Sequence, residues 1–165
     1  MQVICKPGIV FVVCLFAFRA GPANADQDET DVLAIADQAL ERITAEDSVG
    51  LTDLMIQEAM IYVGTFRDGE YAVRTSSYAD ARARISEVDM VERGFEPTVL
   101  VSGPIATVWY PYDFYRDGAW SHCGVDIFNL VRTNVGWRIT TLMYNVQQPP
   151  ACKPHPDGPP TSPDE

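Results

Sequence analysis

Basic residues, histidine and cysteine are all scarce in this chain, and each scarcity excludes something. Twelve Lys and Arg face 23 Asp and Glu, for a formal net charge of −11. Nucleic acid and anionic membrane surfaces repel so acidic a chain, so neither is an expected partner. Only two histidines occur, His122 and His155, the second inside a Pro-rich tail. With no CxxC pair beside them, nothing has the spacing of a zinc site, and neither a metal nor a cofactor is expected. Long apolar runs are missing too. The run Ile9–Phe18 is too short to cross a bilayer as a helix.

That short run is better explained as the core of a secretory signal. Lys6 supplies the positive start, and Ala23-Asn24-Ala25 is a small-x-small cleavage site that leaves Asp26 as the first mature residue. A retained anchor would need a longer apolar stretch, and a lipoprotein would need a small residue where Val12-Val13 precede Cys14. The expected organisation is a signal over 1–25, one folded domain over 26–148 and a disordered, Pro-rich tail over 149–165, in a periplasmic or secreted protein. Cleavage removes Lys6 and Arg19 and no acid, which leaves a net charge near −13. It also reduces the four cysteines to Cys123 and Cys152. Export makes a disulfide between them chemically possible. The alternative is a buried free Cys123 with a mobile Cys152.

What the chain does have is a dense β-forming region from Gly103 to Gln147. Ile105–Tyr115, Trp120–Arg132 and Trp137–Gln147 are rich in Val, Ile, Tyr, Phe and Trp, and Asp117-Gly118 and Asn134-Val135-Gly136 interrupt them as hairpin turns. Upstream, Val32, Ile35, Ala36, Ala39, Leu40 and Ile43 recur at helical spacing. Leu51, Leu54 and Met55 suggest a short second helix, and Ala59–Phe66 a strand. Tyr78, Ala81, Ile85 and Val88 predict a third helix, capped by Thr75 or Ser76. Met90–Ser102 is a further strand, interrupted at Gly94 and Pro97. Helices first and strands afterwards indicate an α+β fold with an antiparallel sheet.

Without bulges, the two turns set a register that pairs Tyr115 with Trp120 and Arg132 with Trp137. One face then carries Trp109, Asp113, His122, Asp126, Met143 and Asn145 near one end, and Phe128, Leu130, Trp137 and Ile139 near the other. The opposite face carries Val108, Tyr110, Tyr112, Val125, Ile127, Leu142 and Tyr144, with Cys123. Two apolar faces need two covers. The helices cover the first, as a concave core that ends in a cavity, and a second copy of the chain covers the other, as a homodimer. The alternative packs the helices on the second face and leaves His122, Asp126 and Asp113 to solvent, but Trp137, Ile139, Phe128 and Leu130 make a poor solvent face.

The order of elements, together with Gly103-Pro104-Ile105-Ala106-Thr107-Val108-Trp109, His122-Cys123-Gly124-Val125-Asp126-Ile127-Phe128 and Gly136-Trp137-Arg138-Ile139, resembles the nuclear transport factor 2-like (NTF2-like) superfamily, with its SnoaL-like and ketosteroid-isomerase-like members. The resemblance covers about residues 29–147. It implies a cone: a strongly curved antiparallel sheet wrapped around N-terminal helices. It does not choose a function, since the superfamily includes isomerases, cyclases, dehydratases and non-catalytic binding or assembly domains.

Three functions fit these expectations. One is a non-catalytic domain that binds a small apolar molecule, or assembles with others, through Tyr62, Trp109, Asp113, His122, Asp126, Met143 and Asn145. Another is a cofactor-independent isomerase or dehydratase, with Asp126 as general base in an apolar setting, Tyr62 as hydrogen-bond donor and His122 paired with Asp113. The last is a structural dimer with a filled cone.

Overall fold

The computed structural model describes residues 23–161 except Glu87. The expected signal segment lies outside the described residues, apart from its last three positions. Helix α1 (Ala23–Thr44) and the short α2 (Ser48–Asp53) lead into β1 (Met55–Arg67) and β2 (Glu70–Ser77). A one-and-a-half-turn helix α3 (Tyr78–Arg82) follows, then β3 (Met90–Gly94), β4 (Thr98–Ser102), β5 (Ile105–Arg116), β6 (Ala119–Thr133) and β7 (Gly136–Val146). The seven strands form one sheet in the order β2-β1-β7-β6-β5-β3, with β4 beside β3 on the edge of β5. All pairs are antiparallel except β1 with β7.

Turn chemistry explains the hairpins. Asp68-Gly69 and Asp117-Gly118 both have positive φ at each central position, the conformation whose twist matches flanking strands. The helical stripe is where the spacing puts it: Val32, Ala36, Ala39 and Leu40 are buried on the concave face of the sheet, against Val108, Phe128, Leu130, Trp137 and Ile139. The expected third helix is shorter. Ser77, not Thr75 or Ser76, caps it, in a reciprocal pair with Asp80, and Ile85 is exposed. Residues 70–77 instead extend the hairpin with β1. The interrupted strand is two strands, both paired to β5.

The bulge-free register holds at both turns and fails beyond them. Tyr115 pairs with Trp120, but the next pair is Phe114 with His122, so Ser121 is an extra residue on β6. Leu130 pairs with Ile139, but Asn129 pairs with Thr141, so Thr140 is an extra residue on β7. Thr140 is held there by its hydroxyl, which donates to Asn129 O at 3.0 Å. Each insertion turns the side chains beyond it to the opposite face. Asp126 therefore lies between Tyr110 and Tyr144, rather than between Trp109 and Met143.

The expected disordered tail is instead held along the convex face from Cys152 to Gly158. Cys123 and Cys152 form a disulfide with Cα atoms 5.9 Å apart. Asp113, fully buried, accepts from Arg93 at 2.7 and 3.1 Å and from the His155 backbone N–H at 2.9 Å. Arg93 also donates to Gly158 O at 2.7 Å. Proline prevents this segment from making a strand, but a covalent link and a buried carboxylate substitute for a ladder. Cys152→Ser is expected to cost about 2–4 kcal/mol, read as a lower urea midpoint. A reducing agent should lower the wild-type midpoint by the same amount and leave the variant where it is.

Candidate functional site

The helices do not fill the open end of the cone. A cavity of about 530 Å³ remains there, walled by β1, β2, β5, β6 and β7 and floored by β3 and the end of α1. Alternation places Ile61 and Val63 of β1, Tyr112 and Phe114 of β5, His122 and Asp126 of β6, and Leu142 and Tyr144 of β7 on its wall. Gly124, between His122 and Asp126, permits the close approach: a Cβ there would sit 2.1 Å from Asn145 O and 3.0 Å from the Tyr112 ring.

Asp126 is 1 % exposed, and no N–H or O–H among the described residues reaches its Oδ2. Its neighbour is Glu92 of β3, which also lines the cavity. Thr44, the last residue of α1, fixes Glu92 by accepting from its backbone N–H at 2.9 Å and donating to its carbonyl at 3.2 Å. Burial is the main cause that raises both carboxyls. It pushes Glu92 up to about 7, against a hydrogen bond to Asp126 that pulls it down. Asp126 is raised well above the carboxylate range by burial, then by the charge of Glu92 and the hydrogen bond to it. Two carboxyls can bond to each other only through a proton. Burial and the mutual charge of the two carboxyls thus favour keeping a proton on the pair to higher pH than an exposed carboxyl would.

Around the pair the wall is aromatic. Tyr112 donates to Asn145 O at 2.9 Å, and burial, followed by the charges of Asp126 and Glu92, raises its hydroxyl. His122 stacks on Phe114 with ring centres 4.5 Å apart and meets Tyr112 edge-on. Burial lowers His122 to about 4, with help from Arg116 and Arg67, so the imidazole is neutral at pH 7. It cannot form the expected charge pair with Asp113, which lies on the convex face under the tail.

Of the seven residues expected to bind a ligand, the structure brings His122 and Asp126 together in the cavity. The two bulges place Trp109, Asp113, Met143 and Asn145 on the convex face, with Tyr62 beside Met143. Asn145 there serves the sheet, accepting from Val125 N–H at 2.7 Å through its side chain. Correspondingly, Val108, Tyr110, Tyr112, Leu142 and Tyr144, expected on the outer face, are turned inward. Tyr110 packs under α1 and donates to Asp37 at 2.9 Å. Val125 and Ile127 keep their outward position. Glu92 was missed by the sequence reading, although its alternation with Met90 and Gly94 is visible once Met90–Gly94 is taken as a strand facing the helices.

No family model matches the chain, and no curated protein matches it. Solved structures do. The chain is similar to an NTF2-like protein with a cystatin-like fold from Novosphingobium aromaticivorans, at 16 % identity over 78 % of this chain and 88 % of that one, with a TM-score of 0.61. An NTF2-like protein of unknown function from Pseudomonas putida aligns at 12 % identity over 82 % and 98 %, with a TM-score of 0.59. A ketosteroid isomerase-like protein from Erwinia carotovora aligns at 14 % over 75 % and 99 %, with a TM-score of 0.55. The fold is the NTF2-like cone, as the order of elements led us to expect. At these identities the likeness carries the fold and no activity.

Proposed function

We propose that this is an exported domain that binds a small, largely apolar molecule in its cone, with the Asp126–Glu92 pair as the polar anchor in the cavity wall. One observation carries the reading: Asp126 is buried in the wall of a 530 Å³ cavity with an oxygen that no protein donor reaches. A buried acceptor without a donor costs free energy that a bound donor would recover. Export is supported by the apolar N-terminal run and by the Cys123–Cys152 disulfide, which persists in an oxidising compartment. Native mass spectrometry of the chain secreted to the periplasm tests the reading. Non-covalent mass that Leu142→Trp, by filling the cavity, removes is the expected result. An apo mass for the wild type in every preparation would falsify it.

A second reading has its own observation. A carboxyl pair in which Glu92 is raised to about 7 can take or give a proton, as an isomerase or dehydratase needs. Asp126 is then one half of the acid–base pair rather than a lone base. Asp126→Asn should leave ligand mass in place under either reading, and abolish turnover of the molecule so identified only under this one.

The proposed dimer uses the convex face that the tail leaves open. Trp109 and Met143 are 49 % and 43 % exposed there, with Ile127 between them. Ile127→Arg is expected to convert a dimer to a folded monomer in sedimentation, because it buries a charge at the centre of the contact. Tyr110→Lys should instead unfold the chain, since Tyr110 is in the core.

A further inference from the structure

Half of the basic residues that follow Asp26 face one cavity: Arg42, Arg67, Arg74, Arg84 and Arg116, of ten Lys and Arg. Arg42 is held by Asp47 at 3.1 Å. The other four make no ion pair among the described residues, although the chain has about two acids for every base. Nor does any arginine pair with the buried carboxyls deeper in. Solubility does not explain this, since the acids already supply it.

Their placement is specific. Arg67 ends β1 and Arg116 ends β5, at the open end of the cone beside His122. Both are close enough to His122 for their charge to help keep the ring neutral. Inward along the strands Phe114 comes first, with Glu92 paired to it on β3, then Asp126 level with Tyr144 and Val63, and then Leu142 and Ile61. From the mouth inward the cavity is cationic, then carries the two carboxyls among aromatic side chains, and ends apolar at Leu142 and Ile61. An anion in solution meets an acidic chain at long range and gains only from a local guanidinium, which bonds carboxylate, sulfonate and phosphate oxygens alike. The Asp126–Glu92 pair, inward of the arginines, disfavours an anionic head in the interior and so keeps it at the mouth.

We infer that the cone takes an amphipathic organic anion, with its carboxylate, sulfonate or phosphate head on Arg67 and Arg116 and its apolar body running inward over Phe114, past Asp126, toward Leu142. This rests on the binding role proposed above and names the class of ligand.

Two dyes sharing one apolar body separate the claims: 8-anilinonaphthalene-1-sulfonate carries the anionic head, and N-phenyl-1-naphthylamine lacks it. Each is titrated into the purified chain by fluorescence, while the ring resonances of His122 report whether the cavity is occupied. The sulfonate is expected to bind at least about tenfold more tightly and to lose about tenfold in Arg67→Gln/Arg116→Gln, with the neutral dye unchanged and both dyes moving His122. Equal affinities, or a sulfonate indifferent to the two arginines, with His122 moved, overturn the anionic class and leave the cavity as a binding site. If neither dye moves His122, the binding role and the inference fail together.

Discussion

Asp113→Ala is expected to lower the stability of the protein by about 3 kcal/mol or more, since removing one partner of a buried ion pair leaves the other uncompensated. Asp113 is fully buried, and its partner Arg93 is 20 % exposed, with a second bond to Gly158 O. The substitution also leaves the His155 backbone N–H without its acceptor. The loss should appear as a lower urea midpoint, together with faster amide exchange from His155 to Gly158. The disulfide still tethers the segment at Cys152, so the strap should loosen without leaving. Asp113→Asn keeps an acceptor for His155 but removes the charge that Arg93 faces, and it should fall between wild type and Asp113→Ala. Dye binding in the cavity should not change, because β5 turns Asp113 away from it. A midpoint for Asp113→Ala within about 0.5 kcal/mol of wild type, the range of an ordinary surface change, would mean that Asp113 does not hold the tail.

The contrast between Asp113 and Asp126 marks how far the sequence could be read. The strands β5, β6 and β7 are bounded by turn residues whose positive φ is demanded by local chemistry, so Asp117-Gly118 and Gly136 placed them to within a residue or two. The stripe Val32, Ala36, Ala39, Leu40 was equally plain, because helical spacing survives any tertiary context that buries one face. What could not be read was the pairing between strands. Ser121 and Thr140 are each a single polar residue within a strand, and inserting one leaves the alternation on either side intact. Yet each exchanges inside for outside along the rest of the pair, which is why Tyr112 and Tyr144 line the cavity and Trp109 and Met143 do not. His122 and Asp126 survived because both lie on β6 and were assigned with Phe128 and Leu130, on the same strand and the same side of it. Glu92 is 48 residues from Thr44 in the chain, and it comes to Asp126 only through the long-range contacts of β3 with α1 and β5. The tail was obscured for a different reason. Proline-rich composition describes what a segment cannot form by itself, and carries no information on a disulfide or a buried carboxylate that fixes it from outside.

The Asp126–Glu92 pair should make the protein less stable as pH rises, opposite to the usual contribution of a salt-bridged carboxylate. Glu92 has its folded value raised from 4.5 to about 7, and Asp126 is raised as well. Below the unfolded values both states hold these protons and the pair contributes nothing to the pH dependence. Between pH 4.5 and about 7 the unfolded chain releases protons that the folded chain retains, so stability falls across that window. For Glu92 alone the fall is about 3 kcal/mol, and the raised Asp126 adds to it. Self-repulsion of a chain with net charge −11 slopes the same way, so the comparison must be between variants. Asp126→Asn supplies an amide that donates to Glu92 and removes the competing carboxyl. It removes the contribution of Asp126 and leaves that of Glu92, whose rise comes mainly from burial, so the curve of unfolding free energy should fall less steeply between pH 5 and 8 than in wild type. Parallel curves for the two proteins would show that the carboxyls do not share a proton. A ligand that donates to Asp126 acts as the amide does, so its binding to the wild type should stabilise most at the alkaline end, where the unliganded pair costs the fold most.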